Sequence, residues 1–178
     1  CTIAPAATPG TAQCERQTEG AVDPAIYGGA TAADNSGVFR YVQIRYSGFV
    51  LGSNRELQAL TTEGIGSATV LDHIQSHNSS DDGAEFFGGV ANLKYYVATG
   101  ADDDSLDVDT GAQMNVQYAL LLPRSARGDA LFEIDSNGGE ADTPRTTLRV
   151  ANFTALQPAT SPDNEANDQA AALDEFAA

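Results

Sequence analysis

The sequence predicts an all-β chain, a right-handed parallel β-helix (solenoid) of about five rungs of roughly 22 residues with insertions. Three observations predict it. A six-residue strand pattern returns along the chain in one phase. A shorter strand of alternating apolar and acidic residues precedes its later copies. Gly, Asn and Asp then turn the chain too soon for a helix to fit between parallel strands.

Residues 1–35 are rich in Pro, Ala, Thr and Gly and predict a loop leading into the first rung, with both cysteines, Cys1 and Cys14, inside it. Residues 36–156 carry the repeat. Its copies read Phe39-Arg40-Tyr41-Val42-Gln43-Ile44, Leu71-Asp72-His73-Ile74-Gln75-Ser76 and Leu93-Lys94-Tyr95-Tyr96-Val97-Ala98. Val116-Gln117-Tyr118-Ala119-Leu120-Leu121 and Leu148-Arg149-Val150-Ala151-Asn152-Phe153 follow. The starts are 32, 22, 23 and 32 residues apart, so the first and last intervals hold insertions of about ten residues. His73 falls in the slot of Tyr41, Tyr95 and Tyr118, which predicts a ladder of rings. Arg40, Asp72, Lys94, Gln117 and Arg149 share the preceding slot, a mixed ladder facing solvent.

The second strand reads Gly83 to Phe87, Ser105 to Asp109 and Leu131 to Asp135. Ala84/Phe86, Leu106/Val108 and Phe132/Ile134 alternate with Glu85, Asp107 and Glu133, the pattern of a strand with one buried face. A β-sandwich would need antiparallel hairpins and would not explain the constant phase. Stacked turns do, because in-phase apolar positions then join into one core. Residues 157–178, an acidic Ala-rich tail, predict a linker or a cap, with a short helix over Ala170–Phe176.

Composition narrows the function. Twenty-five acidic residues against nine basic give a formal charge of −16. No basic stripe is left to neutralise phosphates, which argues against nucleic acid and anionic membranes. No apolar run approaches the roughly 18 residues of a membrane span. A cation is the simplest partner of such a surface; a solvated acidic face that aids solubility is the plainer reading. The cysteines lack metal-ligand spacing. They leave two readings open: a disulfide formed in an oxidising compartment, or a lipid-bearing Cys1.

Several motifs together resemble a bacterial family of secreted or outer-membrane lipoproteins with a right-handed β-helix fold. They are Asn35-Ser36-Gly37-Val38-Phe39-Arg40-Tyr41-Val42, His77-Asn78-Ser79-Ser80-Asp81-Asp82-Gly83-Ala84-Glu85-Phe86-Phe87-Gly88-Gly89 and Asp102-Asp103-Asp104-Ser105-Leu106-Asp107. Asp135-Ser136-Asn137-Gly138, Thr143-Pro144-Arg145 and Ala151-Asn152-Phe153-Thr154 belong to the same set. The resemblance covers about residues 1–156. It implies further coils before a loop bearing two cysteines and then Tyr-Gly-Gly, places held here by Cys1, Cys14 and Tyr27-Gly28-Gly29. It thus implies a Cys1–Cys14 disulfide and a cell-surface or secreted location. It carries no activity to transfer.

Chemistry concentrates in the acidic residues. Asp81-Asp82 and Asp103-Asp104 lie 22 residues apart, so stacking sets one pair over the other. Glu85, Asp107 and Glu133 form a second column on what should be an outward face, with Asp102 and Asp109 beside it. Like charges this close need counter-ions, raised pKa values or hydrogen bonds from turn amides. Calcium suits oxygen-only ligands, and Asp81, Asp82, Asp102, Asp103, Asp104, Asp107 and Asp109 are its candidates. The plain alternative is that Asp and Asn only make the turns. Glu85, Asp107, Glu133 and His77 are the candidates for catalysis, since sugar hydrolysis uses paired carboxylates.

Three functions follow: a non-catalytic surface module binding glycan or a surface protein, a polysaccharide hydrolase or lyase, or an assembly protein that self-associates through open rungs.

Overall fold

A computed structural model describes residues 15–52, 55–124, 127–136 and 143–156. Cys1, Cys14 and the tail from 157 lie outside the described residues, and so do the disulfide and cap expected there.

The described residues form thirteen strands and no helix. They are β1 (Glu15–Gln17), β2 (Ile26–Gly28), β3 (Val38–Arg45), β4 (Phe49–Gly52), β5 (Arg55–Leu57) and β6 (Thr61–Glu63). Then come β7 (Val70–His77), β8 (Glu85–Phe87), β9 (Val90–Thr99), β10 (Asp107–Asp109), β11 (Gln113–Leu122), β12 (Glu133–Ile134) and β13 (Thr147–Ala155). From β6 onward the chain alternates between two parallel sheets, a short-stranded one of order β12-β10-β8-β6 and a long-stranded one of order β13-β11-β9-β7-β3. β1/β2 and β4/β5 are antiparallel hairpins.

Register follows the repeat through most of the chain. Phe39 pairs with Leu71, Leu71 with Leu93, and Leu93 with Val116. The last strand departs from the expectation. Val116 pairs with Val150, and Leu148 pairs with Met114, a displacement of two residues. The slot beside Gln117 is therefore filled by Ala151, while Arg149 lies beside Asn115. Strand faces repeat every two residues, so this shift keeps the same side chains inward and hydropathy cannot detect it.

One core lies between the two sheets. Leu71, Leu93 and Val116 stack in one column and Ile74, Tyr96 and Ala119 in another; Phe86 and Val108 oppose them from the short strands. All are buried. At about 1.5–3 kcal/mol for each large apolar side chain, these columns are the main stabilising contribution. Tyr96 closes its hydroxyl onto the Ser105 carbonyl at 2.9 Å, which offsets the cost of burying it.

Each long strand bends at one residue of left-handed backbone, a ring in the first four. Tyr41, His73, Tyr95, Tyr118 and Asn152 occupy equivalent positions, and all have φ between 53° and 64°. The bend sends two successive side chains outward: exposed Lys94 and Tyr95 lie between buried Leu93 and Tyr96. The rings stack, with centroids 4.5 Å apart for Tyr41–His73, 4.3 Å for His73–Tyr95 and 4.8 Å for Tyr95–Tyr118. Left-handed backbone costs an L-residue roughly 1–2 kcal/mol, least for Asn and Gly. A stacked pair returns about 0.5–1.5 kcal/mol. Three stacks over four strained rings leave little or no net gain.

Candidate functional site: a covered column of carboxylates

The short-stranded sheet sets carboxylates one above another. Parallel pairing places Glu85 beside Asp107 and Asp107 beside Glu133, with Thr61 of β6 on the far side of Glu85. β6 is absent from the sequence expectation. Its Thr-Thr-Glu run is too short and too polar to show apolar periodicity.

Two of the three members do not face open solvent, as the alternation suggests they should; Glu133, at the end of the column, stays exposed. Glu85 retains only 5% of its accessible surface and Asp107 only 8%. Segments distant in sequence cover it. Glu19, Glu56 and Gln58 join Asp81, Asp82 and Glu85 in lining one cleft of about 180 Å³. Gln58 Nε2 donates to Glu19 Oε2 at 3.2 Å, and the Ala59 amide donates to the Asp82 carbonyl at 3.1 Å. The covering loop turns at Gly20 (φ 69°), where a Cβ would stand 2.3 Å from the Glu56 carbonyl oxygen. Only glycine permits that approach. Asp103, Asp107, Asp109, Glu133 and Asp135 complete the cleft, and no Lys, Arg or His lines it among the described residues.

Two routes of charge relief are visible. Turn amides satisfy part of the cluster. Asp82 Oδ1 accepts the Asp104 N–H at 2.9 Å, Asp104 Oδ1 accepts the Ala130 N–H at 2.6 Å, and Asp109 accepts the N–H of Thr110. Proton retention is the second. Burial, then the charge of Asp107, raises Glu85 far above the usual carboxylate range. Burial likewise pushes Asp107 up to about 8 against an opposing hydrogen bond from Glu85, and Asp81 to about 6. Asp82 and Asp104 are raised for the same first reason. At neutral pH the Glu85 carboxyl keeps its proton and donates it toward Asp107.

Two groups of three have the geometry of a cation site. One oxygen from each of Asp82, Glu85 and Asp107 lies within 4.8 Å of the other two, and the same holds for Asp82, Asp103 and Asp104. In the first group, Asp107 Oδ1 is buried without a hydrogen-bond partner. The other sequence candidates divide. Asp81 and Asp109 line the same cleft. Asp102 turns to the guanidinium of Arg124, with Arg127 at 3.9 Å. His77 stands on β7 in the other sheet, bonded through Nδ1 to Thr99 Oγ1 at 2.7 Å, and is not part of the cleft. Glu19, Glu56 and Gln58 escaped sequence reasoning because nothing in their local pattern sets them against residues 81–135.

A family model for a pectate-lyase-like β-helix domain matches residues 4–174 of the chain. No curated protein and no solved structure matches it.

Proposed function

Since the chain belongs to the family of pectate-lyase-like β-helix domains, we propose that it is a secreted or cell-surface carbohydrate-related module whose carboxylate cleft holds a calcium ion. On this reading the two parallel sheets coil as a right-handed solenoid of about five rungs, and the chain joins the bacterial lipoproteins its motifs resemble. The module binds a glycan or a surface partner; it is not a catalyst. The observation that carries the cation is Asp107 Oδ1, a buried oxygen without a partner, within ligand distance of Asp82 and Glu85. Desolvated carboxylates without a nearby cation are costly. A hard divalent ion coordinated by oxygen removes that cost, and flexible calcium coordination tolerates an irregular ligand set better than magnesium does.

Calorimetric titration of the full chain with calcium tests this. One ion per chain is expected, with binding lost in Asp107→Asn and weakened in Glu85→Gln. Absence of calcium binding at pH 8, together with melting unchanged by a chelator, would sink the proposal.

A second reading has its own observation: Glu85 holds its proton more tightly than Asp107 on the adjacent strand, so above about pH 8 the two are an acid beside a carboxylate. Such a pair can protonate a glycosidic oxygen and support the opposite face of the sugar. Against it, among the described residues no basic side chain lines the cleft to hold an acidic sugar. New reducing ends or unsaturated products from a polysaccharide panel, abolished in Glu85→Gln, would establish this reading over the first.

A further inference from the structure

We propose that the groove beside the Tyr41–His73–Tyr95–Tyr118 row binds a neutral, linear polysaccharide lying along the stack of strands. This rests on the carbohydrate-related reading above and is independent of the carboxylate cleft.

The first argument is strain without structural return. The bend needs a left-handed residue in each long strand, and Asn152 shows the less strained solution in the last one. Four preceding strands use a ring instead, and three of those rings are well exposed: Tyr41 at 77%, Tyr95 at 43% and Tyr118 at 41%. Strained, exposed aromatics held in register form a pre-organised surface, and strain of this kind marks functional positions.

The second argument is shape. The side chains two residues beyond the rings, Gln43, Gln75, Val97 and Leu120, line the same groove, whose volume is about 620 Å³. It crosses consecutive parallel strands, so its long axis follows the stack and offers one similar step per strand. A polymer with a short repeat suits that better than a compact ligand.

The third argument is chemistry. The facing sides of the rings are occupied by one another, so between its ends the row presents ring edges, tyrosine hydroxyls, and the amides of Gln43, Gln75 and Asn152. Gln43 Nε2 already donates to Gln75 Oε1 at 2.9 Å, which fixes that wall. His73 is oriented by Asp72 through Nδ1. Among the described residues no Lys, Arg, Asp or Glu lines the groove, and the chain carries −16 overall. A polyanion is repelled and gains no counter-charge here. A neutral sugar chain, with alternating C–H and hydroxyl groups, finds matching apolar and hydrogen-bonding sites.

The test is affinity electrophoresis of the full chain in gels holding neutral soluble polysaccharides (a β-glucan, a xylan, a mannan), with polygalacturonate as the anionic control and chelator throughout. Tyr95→Asn and Tyr118→Asn remove rings while keeping a residue suited to the bend, and melting curves verify that they fold. Retardation by at least one neutral polymer, weakened at least tenfold in both variants, is the expected result. Retardation unchanged in the variants overturns the groove assignment and leaves the carbohydrate reading standing. Binding of polygalacturonate alone, or of an unstructured peptide with the same ring dependence, also overturns it. Retardation by none of the polymers removes both.

Discussion

Replacing Asp107 by Asn should stabilise the calcium-free protein at neutral and alkaline pH. The folded chain holds this carboxyl at about 8 against an ordinary 3.8, chiefly through burial. A group raised on folding contributes stability in full below its unfolded pKa and loses that contribution as pH rises through the folded value. The affected window is therefore about pH 4 to 8. At pH 7 the unfolded carboxyl is ionised by about three pKa units while the folded one is still mostly protonated. At 1.36 kcal/mol per unit, that amounts to about 4 kcal/mol against the native state. Water entry and relaxation around Asp82, Glu85, Asp109, Glu133 and Asp135 trim it, so the difference between Asp107→Asn and the parent should reach about 2–4 kcal/mol at pH 7–8. It should fall to near zero at pH 4. Urea denaturation followed by circular dichroism, run from pH 4 to 9 in chelator on both proteins, reads this difference directly. Ion pairs remote from the cleft, such as Arg40–Asp72, cancel in the subtraction. Equal stabilities across the range, or a variant less stable at pH 8, would refute the desolvated state assigned to Asp107.

Calcium should reverse the pH trend of the parent, since a bound cation holds Asp107 ionised; at one hundred times the dissociation constant it should add about 2.7 kcal/mol, read as a raised Tm that Asp107→Asn does not share. Binding near pH 6.5 should also release protons, seen as a calorimetric heat that changes with the ionisation enthalpy of the buffer. Gly83→Ala should cost about 1–3 kcal/mol in denaturant titration, because its Cβ would stand 2.7 Å from the Ser105 carbonyl and 2.8 Å from the Tyr96 hydroxyl. Leu93→Ala, which hollows the central apolar column, should cost about 2–5 kcal/mol. Tyr95→Asn should leave stability within about 1 kcal/mol of the parent, because relief of backbone strain offsets the lost stacking.

The parallel arrangement and the central registers were already readable in the order of residues. The phase that brings Leu71, Leu93 and Val116 together, and Glu85, Asp107 and Glu133, is a matter of spacing along the chain, and spacing is written in the sequence. The carboxylate column was legible for the same reason, and so was the ring ladder through Tyr118. Tertiary structure alone decided the rest. The pairing of Val116 with Val150 rather than Leu148 is invisible to a period-two pattern, because a shift of two residues leaves every side chain on its own face. The positive φ at each ring depends on how neighbouring strands hold the bend, not on a preference of tyrosine or histidine. Burial of Glu85 and Asp107 required Glu19 and Glu56 to fold across them from outside the repeat. That cover turns an acidic stripe into desolvated carboxyls that keep their protons, and it follows from contacts between distant segments that no local pattern encodes.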